Sequence, residues 1–241
     1  MATPVRYPSG VTNVKPSDAC ANLPMPSRTR LQLHFDDFMA HSYTTWHQYI
    51  GTTLAGVTAD IVDGAGGVMQ LAIAAVTDDY ATLTQMEESW TFEAGKRMWM
   101  GIRYAVSAGE TSNKFGFGLG TLGTDYVNVT PAEGVFFRND NDTNLDITIN
   151  TGGATIAEAL AIDTVVAAAW STAEIEFDGV SAFKYFIDGV HVGTLTTTSF
   201  PTTELTMFVY AEAAAATASS SAGNFDIDWV YVAKERTVPN D

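Results

Sequence analysis

The chain has 241 residues, with 28 acidic against 12 basic side chains for a net charge of −16, and a single cysteine, Cys20. That charge argues against nucleic acid as a partner, because neutralising phosphates takes clustered Lys and Arg, and one cysteine excludes an intrachain disulfide. No apolar run approaches the ~20 residues of a membrane span, and the opening lacks the charged and apolar regions of a signal peptide, so synthesis in the cytoplasm without a membrane partner is expected.

Residues 1–30 differ from all that follows. They hold five of the eight prolines, and Arg6, Lys15, Arg28 and Arg30 against one acid, Asp18, for a net of +3. The remaining 211 residues carry a net of −19. Proline fixes φ and removes a donor, so this stretch cannot form a helix or a central strand. It reads as an extended basic arm that stays mobile or lies along a partner. The reading expects an assembly protein rather than a self-contained enzyme.

Period-two alternation dominates after Arg30. An early strand is expected at Leu33–Phe38, and others at Val68–Ala74 and Tyr80–Gln85. In Arg97–Val106 the apolar set is Met98, Met100, Ile102, Tyr104 and Val106, with Arg97, Trp99 and Arg103 opposite. Lys114–Gly120 alternates Phe115, Phe117 and Leu119 with three glycines, which suggest a close backbone approach on their face. Gly134–Arg138 follows, and then Asn144–Asn150 with Leu145, Ile147 and Ile149 inward. Ala154–Ala169 holds too many β-branched residues for a helix and reads as strand and loop. Ala173, Ile175 and Phe177 then alternate with Glu174, Glu176 and Asp178. Asp188-Gly189, between Phe183–Ile187 and Val190–Leu195, is the strongest hairpin signal. Asp63-Gly64, Asp140–Asn144, Gly152-Gly153 and Asp178-Gly179 mark further turns. After Leu205–Tyr210, Ala211–Ala222 reads as a loop, with one helical turn at Glu212–Ala216 as an option. The last strand places Phe225, Ile227, Trp229 and Tyr231 on one face, and Asp226, Asp228, Val230 and Val232 on the other.

Many short strands at close spacing predict an all-β antiparallel sandwich or jelly roll. The expected organisation is an arm over 1–30, one body over 31–236 and a tail over 237–241. Three segments resemble the concanavalin A-like jelly roll: Leu33-His34-Phe35-Asp36-Asp37-Phe38; Ala173-Glu174-Ile175-Glu176-Phe177-Asp178-Gly179 with the Phe183–Gly189 strand and turn behind it; and Phe225–Val232. More narrowly, the chain resembles decoration (cement) proteins and related virion structural proteins of tailed bacteriophages. The resemblance lies in the opening Met1–Val14, the early Phe-Asp-Asp-Phe strand, and Gly134-Val135-Phe136-Phe137-Arg138 before an Asp/Asn turn. It implies an oligomer, often a trimer, on the outer capsid face that clamps subunits of the major capsid protein. Arg6, Tyr7, Lys15, Arg28 and Arg30 would make the capsid contacts. The alternatives are a glycan-binding, lectin-like virion or tail domain of the same fold, and a glycoside hydrolase.

Glu174-Ile175-Glu176-Phe177-Asp178 invites a glycosidase reading, because two carboxylates on one strand face supply nucleophile and general acid. Hydrolases of the laminarinase type carry Glu-x-Asp-x-Glu, however, and this strand departs from that order. It also resembles the strand that follows the catalytic one, so a solvated sheet face is expected. Asp140, Asp142, Asn144 and Asp146 alternate oxygens as calcium loops do, but lack the glycine and the closing glutamate, so a polar hairpin turn competes. Arg97, Trp99 and Arg103 share a face able to stack on a sugar or to form a protein interface. The four histidines show no ligand spacing, no cofactor is indicated, and no nucleophile arrangement is readable. On these grounds no enzymatic activity is expected.

Overall fold

The computed structural model describes residues 31–39, 45–51, 57–62, 67–73, 79–85, 89–107, 113–121, 131–140, 142–213 and 223–236. The arm with Arg6, Tyr7, Lys15, Arg28 and Arg30, the tail, the Asp63-Gly64 turn and residues 214–222 lie outside them.

Fifteen strands and no helix make up the described residues. In chain order they are β1 (Leu31–Asp36), β2 (Trp46–Ile50), β3 (Thr58–Val62), β4 (Val68–Ile73), β5 (Tyr80–Gln85), β6 (Met98–Val106), β7 (Asn113–Gly120) and β8 (Gly134–Asp140). They continue as β9 (Asn144–Thr151), β10 (Ala154–Thr164), β11 (Ser171–Phe177), β12 (Ala182–Ile187), β13 (Val190–Thr196), β14 (Thr206–Ala213) and β15 (Gly223–Glu235). Every pairing is antiparallel. One sheet runs β13-β12-β11-β6-β15-β4-β3, with β1 added beside the second half of β15. The other runs β10-β9-β8-β7-β14-β5-β2.

The alternating apolar residues meet between the sheets. Met98, Met100, Ile102, Tyr104 and Val106 of β6 face Phe115, Phe117 and Leu119 of β7 within one buried cluster. Phe115 stacks on Phe225 at 5.0 Å, and Tyr104 tilts against Phe117 at 5.2 Å. A second aromatic knot forms where Phe177, Phe183, Phe92 and Phe200 converge. Burial of these faces is the main stabilising term.

The turns follow their residues. Asp188 and Gly189 have φ of 49° and 74°, the two left-handed positions of a type I′ turn, and close the β12–β13 hairpin. Gly152 and Gly153, at 62° and 78°, close β9 onto β10 in the same way. At Asp178 the Oδ1 atom accepts from the amides of Val180, Ser181 and Ala182.

Two expectations change. Ala211–Ala213 continue β14 as buried strand, so the helical turn does not begin at Glu212. In β15 the pairing to β6 shifts register between Ile227 and Trp229, leaving Asp228 as a bulge. An inserted residue flips the phase of everything beyond it. Val230 and Val232 therefore enter the core, and Trp229 and Tyr231 turn to the outer face. The bulge also brings Asp228 into an ion pair with Arg103.

Candidate functional site

The outer faces of the two sheets are largely closed. On the β11–β6–β15 face, Leu31, Trp99, Tyr231 and Ala233 form their own buried cluster, with Trp229 packed against it. Trp99 is 1% exposed, so it offers no open ring face for a sugar to stack on. Glu174 and Glu176 are 8% and 3% exposed, which corrects the expectation of a solvated sheet face. The Tyr231 hydroxyl donates to Glu174 at 2.9 Å, and the Lys184 ammonium lies 3.7 Å from Glu176. Burial of a carboxylate requires such partners. On the opposite sheet, Phe136, Phe208 and Tyr210 are likewise buried on the outer side, and the Tyr210 hydroxyl donates to Glu212.

The turn proposed for calcium is a hydrogen-bonded hairpin. Asp142 caps it, accepting from the Asn144 amide at 2.7 Å and from the Asn144 side chain at 3.1 Å. Asn139 donates to the carbonyls of Asp142 and Asn144. Asp146 accepts from the Ala161 amide at 2.7 Å, and Asp140 lies 3.8 Å from Lys114. Among the described residues, no group of three or more His, Cys, Asp and Glu could hold a metal ion. Arg97 is exposed, and its amide donates to Glu235.

The open feature lies at one edge of the sandwich. A cleft of about 170 Å³ is lined by Tyr104, Asp163, Val166, Trp170, Ser171 and Asp188, among others. Each wall has a local cause. β10 slips register between Ala159 and Asp163, with Ala161 in the left-handed region at φ 52°, and the slip precedes Asp163 at the strand's end. The connection to β11 turns through Ala168 at φ 58°, whose amide donates to Val106 O at 2.7 Å. A left-handed φ costs a non-glycine residue of order 1–3 kcal/mol, so three of them around one cleft, Asp188 being the third, mark a conformation that the surroundings enforce. The connection leaves Trp170 40% exposed, with the Arg103 guanidinium 4.9 Å from its ring centre. Asp188, at the first position of the type I′ turn, accepts on Oδ1 from the Ser171 hydroxyl at 3.0 Å and from the Thr172 amide at 2.7 Å.

Burial, with the Asp188 charge adding to it, raises the Asp163 pKa above the ordinary range, against the pull of a hydrogen bond from the Thr164 amide. Burial raises the Tyr104 hydroxyl too, reinforced by Asp163 and Asp188 and opposed by a hydrogen bond with Ser171. The cleft thus combines paired carboxylates, two hydroxyls and an indole, the usual materials of a small-ligand site.

Of the residues marked in the sequence, only Arg103 borders this cleft. Asp163, Asp188, Trp170, Ser171 and Tyr104 had not been marked as site residues. Asp188 looked like a turn former and Tyr104 like core. The available signal was Trp170, a large aromatic in a connection just before a strand.

No family model and no curated protein matches this chain. Solved structures do. An endo-1,3-β-glucanase from Streptomyces sioyaensis is similar at 15% identity and TM-score 0.62, over 88% of this chain and 98% of its own. A winged bean acidic lectin complexed with methyl-α-D-galactose is similar at 10% identity and TM-score 0.59, over 86% and 100%. An endo-β-1,4-glucuronan lyase from Trichoderma reesei is similar at 14% identity and TM-score 0.57, over 83% and 94%. The expectation of no enzymatic activity is corrected by these likenesses: glucanases and a lyase share the fold, so the fold gives no ground for excluding an enzyme. At such identities the likenesses carry the fold alone, and the chain has the antiparallel jelly-roll sandwich of the concanavalin A-like proteins.

Proposed function

We propose that this domain binds carbohydrate and that the cleft beside Trp170 is the contact point. The observation that carries the reading is an exposed indole next to paired carboxylates and hydroxyls in one concave site. An aromatic face packs on the C–H face of a sugar ring, and the carboxylates and hydroxyls take its hydroxyls. The lectin with the same fold adds support, its solved structure being a sugar complex.

The test is a glycan array followed by calorimetry on the hits. Trp170→Ala should weaken binding at least about tenfold, roughly 1.4 kcal/mol, with an unchanged melting temperature. Equal binding by the variant would remove Trp170 from the site. Release of reducing ends from a hit during the same incubation would make the cleft catalytic.

A second reading concerns where the domain is displayed, and the proline-rich basic arm ahead of an acidic body favours it. In this reading the protein decorates the outer face of a tailed-phage capsid as an oligomer, most simply a trimer. The arm's Arg6, Lys15, Arg28 and Arg30 meet carboxylates of the major capsid protein, with Tyr7 beside them. Several linked contacts per oligomer would multiply weak affinities. Co-sedimentation with undecorated capsids should occur for the natural chain and drop sharply when the four basic residues become serine. Undiminished capsid occupancy by that variant would refute the arm's role.

A further inference from the structure

We infer that the cleft selects a cationic amino sugar, a hexosamine end carrying a free ammonium, over neutral sugars; this rests on the carbohydrate-binding reading and narrows it. The argument begins with charge. Asp163 and Asp188 both line the cleft, and no lining residue is basic. The adjacent guanidinium, Arg103, is held in an ion pair with Asp228 and lies over the Trp170 ring, so its charge is already matched. Asp188 uses Oδ1 for its two hydrogen bonds, leaving Oδ2 without a donor among the described residues. Two carboxylates lining one cleft repel, and an ammonium bound by both turns that repulsion into two charge-assisted hydrogen bonds.

The remaining walls fit the rest of such a ligand. A volume of about 170 Å³ falls below the about 300–1,000 Å³ of sites for drug-sized ligands. It suits one sugar ring entering by its end rather than a threaded chain. Trp170, with Arg103 over its ring, adds a stacking surface on its remaining face. The net charge of −16 enriches cationic ligands near the whole surface.

The 241-residue protein would be titrated by calorimetry with β-1,4-linked trimers of glucosamine, N-acetylglucosamine and glucose, at about pH 6 and low salt. The glucosamine trimer should bind about tenfold or more tightly than the other two, the scale of one charge-assisted hydrogen bond. The gap should narrow at about 0.5 M NaCl, where screening is strong. Asp163→Asn should erase the preference, bringing the glucosamine trimer down to the affinity of the neutral trimers for the same variant, with the melting temperature nearly unchanged. Asp188→Asn, which keeps an oxygen for the turn, is a second variant with the same expected loss. Equal binding of all three trimers would overturn the inference and leave the carbohydrate reading standing. Binding of none would overturn both. A preference that survives both variants would place the selectivity elsewhere and overturn the inference.

Discussion

Replacing Phe177 by alanine is expected to cost about 3–5 kcal/mol of folding stability, the range for truncating a buried aromatic. Phe177 is fully buried at the end of β11. Its ring stacks on Phe183 at 4.6 Å and meets Phe92 and Phe200 at 5.3 Å and 4.9 Å. Three neighbouring rings cannot all move into the void, so the cavity term adds to the lost transfer energy. A domain of ordinary stability holds about 5–15 kcal/mol in total, so about a fifth or more would go. Urea unfolding measures this, and Phe177→Leu should lose less than half as much. The cleft should survive in the folded fraction. Ser171 begins the strand that Phe177 ends, six residues and roughly 20 Å away at about 3.3 Å per residue. A loss under about 1 kcal/mol would mean that the aromatic knot is not a cohesive part of the core.

The sandwich was legible because one face of most strands packs between the two sheets and must be apolar. That imposes a period of two in residue type, and in β6, β7, β9 and β11 every second residue joins the cluster between the sheets. The strands that escaped notice, β2 and β3, are the outermost of their sheets. An edge strand is only partly covered, and Trp46-His47-Gln48-Tyr49-Ile50 mixes buried and half-exposed positions without a clean alternation. The β15 bulge escaped for a different reason. From Trp229 onward both faces are apolar, so the pattern carries no phase and the slip at Asp228 leaves no mark in it. Glu174 and Glu176 misled because alternation tells which residues point away from the core. It does not tell what else packs there, and here Tyr231 and Lys184 supply polar partners on that face. The cleft draws on β6, the end of β10, a connection and a hairpin turn. Residues that far apart in the chain meet only through topology, so no local motif could have assembled Asp163, Trp170 and Asp188.

Gly118→Ala should be more damaging than the loss of one methylene-scale contact, on the order of 4 kcal/mol when φ strain and overpacking are taken together. Gly118 sits mid-sheet in β7, with φ of 155°, a conformation that side chains rarely adopt. A Cβ there would come within 2.5 Å of the Val135 carbonyl oxygen and 2.6 Å of the Phe136 Cα. Both are backbone atoms of the paired strand β8, so no side-chain rotation relieves the collision. The strands must part, and their hydrogen-bonded register with them. The alternating glycines of Lys114–Gly120 had suggested a close backbone approach, and at Gly118 the geometry locates one. Gly152→Ala separates the two contributions. It also has positive φ, at 62°, but a Cβ there meets nothing within 4 Å. It should cost only the left-handed penalty, about 1–2 kcal/mol. Equal losses for the two variants in urea unfolding would show that φ alone matters and would remove the steric argument. A much larger loss at Gly118 would tie this glycine to the approach of β8, the strand that places Phe136 beside Phe208 under the closed outer face of that sheet.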